Sequence, residues 1–358
     1  MLICLYCNMY IFNPEHDLCL ANGDIHFVPP DSALAFGRDC ASLTKYMQGL
    51  EAASDCDYPT IKKITPWGWN LHLRERLLKE GYPAELIATA EEIASITRLS
   101  HRANCTACHK YIEERVEDTA NLLLPHTYRI TAKNIEEVLS FLSERGNIVL
   151  KAPLSGSGKG IRFVSKQLSH SDIGWCKNNI LKHHSVIVEK RYTPTLEFAL
   201  LFKISKEQGV EFKGYSLFFT RNGAYRGNIL GSNEYILEKI VEYIPKRMLL
   251  ETIKAFKEYF SKNIADKYEG FIGVDQFICT DYPNGEKIYY NPLVEINFRM
   301  TMGILVRNIF DNFSSKLQIQ DGTHIFEIIR DKTGKSVNYH YEITPVNFPI
   351  TNQRQNRI

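Results

Sequence analysis

No apolar run in this 358-residue chain is long enough to cross a bilayer, and no block of it carries charge of one sign. Lys and Arg total 43 against 41 Asp and Glu, a formal net charge of +2. No dense basic run interleaved with aromatics occurs, which argues against a nucleic-acid partner. Repeats and low-complexity segments are also missing. The apolar opening, residues 1–12, has no basic leader. It runs into Asn13-Pro14-Glu15-His16-Asp17 instead of a small-residue cleavage site, so it reads as a buried first strand. Nine cysteines, an odd number spread over mixed contexts, read as reduced thiols of a cytoplasmic protein. Cys105-Thr106-Ala107-Cys108-His109 has the spacing of a haem-attachment motif. With no export signal and helix-like flanks, it reads instead as an i, i+3 pair on a helix.

With 44% hydrophobic and 23% charged residues, the composition is that of a folded chain, and its length suggests two or three domains. Residues 3–12 read as a strand and 32–48 as a helix capped by Ser32. A second helix is expected over 70–79, stopping at Gly81, and a third over 99–116. Together they suggest an α/β layer on a parallel sheet. Beyond residue 125 the pattern changes. Ile135, Val138, Leu139 and Leu142 mark a helix face that ends at Gly146, followed by a strand over 147–152. Asn222-Gly223 and Asn284-Gly285 are two-residue turns that predict antiparallel hairpins. Leu249, Ile253, Phe256, Phe260 and Ile264 form the apolar stripe of a helix between the hairpins. The fold class is therefore α/β followed by α+β.

Three segments carry chemistry. Ser155-Gly156-Ser157-Gly158-Lys159-Gly160 is a glycine-rich loop whose bare backbone can offer amides to phosphate oxygens, with Lys159 as a mobile cation. It is no P-loop: Pro153 replaces the first glycine, and Gly160 stands where Ser or Thr would hold magnesium. Lys151, at the end of the preceding apolar strand, needs a partner such as a phosphate to avoid being a buried unpaired charge. The second segment pairs Asp275, through the Asn284-Gly285 turn, with Glu295-Ile296-Asn297-Phe298-Arg299. Strand alternation turns Glu295, Asn297 and Arg299 to one side, a hard-oxygen set suited to magnesium with an arginine beside it. The third is the strand 186–190, ending in Glu189 and Lys190, with Glu197 downstream. Each segment has a bland alternative: a surface turn, a solvated ion-paired face, an ordinary strand exit.

The order of these elements resembles the ATP-grasp superfamily: strand lysine, glycine-rich loop, strand-exit Glu, downstream Glu, Asp strand, then E-x-N-x-R. The resemblance covers about residues 125–303. It implies a pre-ATP-grasp, Rossmann-like domain over 1–124 and an ATP-grasp domain over 125–345, with a lid at about 125–190, a C-terminal subdomain at about 191–345 and a polar tail at 346–358. It further implies that Lys151, Ser157, Gly158, Lys159 and Gly160 surround the phosphates of ATP, that Glu189 and Lys190 form the adenine hinge, and that Glu197 takes the ribose. Asp275, Glu295 and Asn297 would hold Mg2+, and Arg299 would brace the reacting phosphate and carboxylate. Arg226, after the first hairpin turn, is the candidate for the substrate carboxylate, because guanidinium grips carboxylate bidentately. The activity implied is ADP-forming ligation of a small-molecule or peptide carboxylate to an amine. Alternatives are a kinase on the same fold or a non-catalytic nucleotide binder. No membrane is expected as a partner, and a homodimer is among the assemblies left open.

Overall fold

The structure, a computed structural model, describes residues 7–47, 61–156, 160–283, 285–333 and 336–346. The residues Ser157, Gly158, Lys159 and Asn284, the polar tail and the start of the first strand lie outside the described residues. Three sheets organise the described part.

The first is parallel and two-stranded, β1 (Cys7–Ile11) beside β2 (Ile61–Pro66). The second has four antiparallel strands in the order β3-β6-β4-β5: β3 (Arg129–Ala132), β4 (Asn147–Lys151), β5 (Ile161–Ser165) and β6 (Val186–Lys190). Helices Ile135–Arg145 and His170–His183 pack on it through Val138, Phe141, Leu142 and Cys176. The third has seven antiparallel strands in the order β11-β10-β7-β8-β9-β12-β13. They are β7 (Tyr192–Ser205), β8 (Gly209–Arg221), β9 (Ala224–Leu230), β10 (Gly270–Asp281), β11 (Ile288–Asn297), β12 (His324–Thr333) and β13 (Ser336–Pro345). The chain is thus α/β at its start and α+β after it.

The two faces of the large sheet do different work. Along β7, Phe198, Leu200 and Phe202 point one way and meet Phe256 and Phe260 of the helix Lys246–Asn263 in the main core. Ala199 and Leu201 point the other way and meet Ile304 and Leu305 of the helix Met302–Leu317. That second helix covers only part of its face. The uncovered end carries the polar residues described below.

Local chemistry sets several element boundaries. Asn70 caps the helix Leu71–Lys79 by accepting from Leu73 N at 2.9 Å. Gly146 ends the helix Ile135–Arg145 with φ +76°, and Asn222-Gly223 turns β8 into β9 with both residues at positive φ. Two helix expectations are corrected. The helix read over 32–48 is two short helices, Asp31–Asp39 and Thr44–Met47, separated by a tight turn at Ala41–Leu43, and Pro30 stands at the first N-cap in place of Ser32. The helix read over 99–116 is broken. Ala90–Leu99 ends, the chain turns through Ser100 to Ala103, and Asn104–Glu113 begins. The break is held by Arg102, whose backbone N–H donates to Pro153 O at 3.0 Å. Cys105 and Cys108 do lie one turn apart on the second helix, both buried among Ile112 and the main core. Among the described residues no helix is long and apolar enough to cross a membrane.

Candidate active site

Most of the residues singled out by sequence lie on the four-stranded and seven-stranded sheets, which Arg102 and Arg129 link. On the large sheet, register does the gathering. Asp275 stands opposite Glu295 on β11 and opposite Ala199 on β7, while Glu197 is opposite Phe277. Residues directly across an antiparallel pair, and those two along, share a face. Glu197, Asp275, Glu295 and Asn297 therefore project from one face, at the end not covered by the helix Met302–Leu317.

This acidic face is strained electrostatically. Burial, with the nearby charges of Glu295 and Glu197, pushes the Asp275 carboxyl up to about 7 from an ordinary 3.8, although Arg299 and a hydrogen bond from Asn297 Nδ2 (3.1 Å) oppose the shift. Burial also raises Glu197, against hydrogen bonds from Thr220 N at 2.9 Å and Thr220 Oγ1 at 2.8 Å. Among the described residues no three His, Cys, Asp or Glu side chains are grouped to hold a metal. Two carboxylates and an amide oxygen are a partial shell of hard oxygens.

Cations enclose the acids. Arg299 forks onto Asp17, with Nε and Nη2 each 2.9 Å from a carboxylate oxygen, and its Nη2 also donates to Asn297 Oδ1 at 3.0 Å. Asp17 follows β1, so the N-terminal layer supplies one wall of the site. Burial alone would raise the Asp17 carboxyl, but Arg299 and His16 outweigh it and hold it below the usual range. His16 itself is buried and, chiefly by desolvation, brought down to about 4, so the ring is neutral near pH 7. A cavity of about 20 Å³ lies here, lined by His16, Asp17, Ser155, Glu295, Asn297 and Arg299.

On the smaller sheet Lys151 is buried but paired. Its Nζ lies 2.7 Å from Glu189 Oε2 on the neighbouring strand. Arg129 on β3, opposite Glu189, adds a second cation at 3.5 Å. Burial would raise Glu189, yet Lys151 and Arg129 hold it below the ordinary range. Arg129 also reaches Tyr128 and the Leu293 carbonyl, while its Nε and Nη1 are buried without a hydrogen-bond partner. The Lys190 side chain leaves the cluster and meets Asp281 at 2.5 Å. Gly160 ends the glycine-rich loop, and its carbonyl accepts from Ala152 N at 2.8 Å.

Two arginines here carried no motif. Arg102 donates to Ala152 O (2.6 Å), Ser155 Oγ (2.7 Å), Ser155 O (2.9 Å) and Glu295 Oε1 (2.7 Å), tying the start of the glycine-rich loop to the acidic face. Arg129 was read only as the start of a strand. The one sequence signal for either was an arginine adjoining an apolar segment, which is too common to select it. Arg226 is not brought to the cluster. It is exposed, at an irregularity in the β8–β9 pairing, and among the described residues makes no hydrogen bond or ion pair to the acidic face. Its neighbour Asn228 is buried and donates to Ser216 Oγ at 2.7 Å.

Against known proteins, no family model and no curated protein matches the chain. Solved structures similar to it include N5-carboxyaminoimidazole synthetase from Staphylococcus aureus complexed with ADP, at 15% identity and TM-score 0.45, covering 90% of this chain and 82% of that one. D-alanyl-alanine synthetase A from Vibrio cholerae has 14% identity and TM-score 0.47, over 87% and 96%. An Archaeoglobus fulgidus protein described as belonging to the ATP-grasp superfamily has 12% identity and TM-score 0.41, over 95% and 100%.

Proposed function

We propose that the chain is an ATP-dependent, ADP-forming ligase of the ATP-grasp type that activates a carboxylate as an acyl phosphate for attack by an amine. The observation that carries this reading is the juxtaposition of a cation-rich small sheet with an acidic face on the large one. Lys151 and Arg129 offer donors, and two Arg129 nitrogens are buried without acceptors. On the large sheet, burial and neighbouring carboxylates raise Asp275 to about 7, a cost that a bound cation would relieve. A nucleotide triphosphate with a divalent ion answers both needs at once.

Asp275, Glu295 and Asn297 would hold magnesium, a hard ion that takes much of its shell from phosphate oxygens and water. When bound, the ion supplies charge neutralisation at the phosphates. The chain's own residues do the rest. Lys151, with Ser157, Gly158, Lys159 and Gly160, would cradle the phosphates, and Glu189 and Lys190 would border the adenine at the exit of β6. Glu197 would accept from ribose hydroxyls, and Thr220 already orients its carboxylate. Arg299, pre-organised by its fork onto Asp17, would stabilise negative charge where carboxylate and phosphoryl group meet. Arg226 as the grip on the substrate carboxylate is retained only for a state in which β8–β9 turns toward the acidic face. The division at residues 124 and 190 belongs to the same proposal.

Incubation with MgATP, hydroxylamine and a panel of carboxylic acids tests the reading. A hydroxamate should accumulate in step with ADP for at least one acid, and Arg299→Ala should suppress both. AMP as the nucleotide product, or a stable phosphorylated alcohol, would replace the ligase with another chemistry.

A further inference from the structure

A second cavity, of about 420 Å³, lies on the other side of β11 from the acidic face. Ile296 and Phe298, which alternate with Glu295 and Asn297, form its floor, and Tyr259 of the long helix Lys246–Asn263 adds an aromatic wall. The volume is within the range of small-molecule sites, roughly 300–1,000 Å³.

Its charge is one-sided. Arg98, Arg102 and Lys267 line it, and no Asp or Glu does. Arg98 is exposed, and its guanidinium has no recorded ion pair among the described residues. Lys267 reaches Asn263 O at 3.0 Å, and its ion pair with Asp266, at 3.5 Å between two exposed side chains, is weak. Arg102 is buried, and four of its hydrogen bonds run to Ala152, Ser155 and Glu295, but its Nε is buried with no partner. Cations at the rim and an apolar floor together suit an oxyanion carried on an apolar body.

We propose that this cavity is a second binding site, distinct from the nucleotide site, for a small organic anion whose carboxylate or phosphate meets Arg98 and Lys267 and whose apolar part rests on Phe298 and Tyr259. Because Arg102 walls this cavity and also holds Glu295, an anion here acts on the acidic face from behind.

The test uses the aromatic sulfonate 8-anilinonaphthalene-1-sulfonate as fluorescent reporter on the full chain, with phenyl phosphate, benzoate and inorganic phosphate as competitors. Saturable one-to-one binding is expected, displaced by phenyl phosphate or benzoate and poorly by inorganic phosphate, which lacks the apolar body. Whichever of the first two competes better identifies the anion. Arg98→Glu combined with Lys267→Glu should weaken reporter binding by about ten-fold or more, the scale of losing charged hydrogen bonds. Ala107→Trp, at an exposed lining position, should weaken it similarly by filling the space. All three positions are exposed, so thermal melting should be unchanged. Saturating MgATP should leave the reporter site in place. Absence of saturable binding, affinity unchanged in both variants, or displacement by MgATP would each overturn the proposal.

Discussion

Asp275 concentrates the electrostatic cost of the site in one side chain. Its carboxyl is raised to about 7 in the folded protein from an ordinary 3.8. A group raised on folding contributes stability that is fully present below its unfolded value and is lost as pH rises through its folded one. Stability measured by urea unfolding without divalent ions should therefore fall between about pH 4 and about pH 7, and Asp275→Asn should flatten that part of the profile. An unaltered slope in the variant would place the titration elsewhere. The Lys151–Glu189 pair leads to a different expectation. Because both groups are buried, Lys151→Ala leaves a carboxylate with Arg129 alone and should cost about 3–5 kcal/mol of stability. Loss of nucleotide binding in that variant is interpretable only beside its unfolding curve. A fully stable Lys151→Ala protein would mean that the pair does not hold the small sheet.

Elements were legible where one local rule governed them. The glycine end of Ile135–Arg145 and the Asn222-Gly223 turn each follow from residues that accept positive φ, and the helix read over 70–79 is found as Leu71–Lys79, with Asn70 as its cap. The break between Ala90–Leu99 and Asn104–Glu113 was not legible, because its cause is distant. Arg102 is held by the chain near Pro153 and Ser155 and by Glu295, and nothing in its own neighbourhood marks it. A second long-range clasp joins the loops after β1 and β2: Asn13 Nδ2 donates to Gly68 O at 2.8 Å, and Gly68 packs on the buried ring of His16. A methyl group at Gly68 would lie 2.5 Å from that buried ring. Gly68→Ala should cost about 1–3 kcal/mol by overpacking. Since Asp17 adjoins His16, the same change should lower turnover beyond what unfolding explains. Stability and turnover both at the wild-type level would show that the clasp does not position Asp17.

At the scale of the whole molecule, strand alternation put Glu295 and Asn297 on one face, but a two-residue turn at Asn284-Gly285 would set Asp275 opposite Val294; an irregularity between Asp275 and Phe277 and a longer connection from Asp281 to Ile288 shift it to Glu295. Glu295 and Asn297 share a face by period two, and the pairing of β10 with β11 sets Asp275 opposite Glu295. What joins that face to Asp17, to Arg102 and to the small sheet is packing between layers far apart in sequence, which no local pattern encodes. Helix packing was legible in part. The stripe ending at Ile264 is buried as its spacing implies, and Phe256 is at its centre with 0% exposure. The central claim is that the two sheets close on a nucleotide with its metal. Calorimetric titration of a non-hydrolysable ATP analogue tests it most directly, run with and without magnesium on the wild-type chain and on Glu295→Gln. The account predicts one site per chain, tight only with magnesium and weakened at least about ten-fold in Glu295→Gln, the loss of a charged ligand to the ion. Binding that ignores both magnesium and the substitution, or no binding at all, would contradict it.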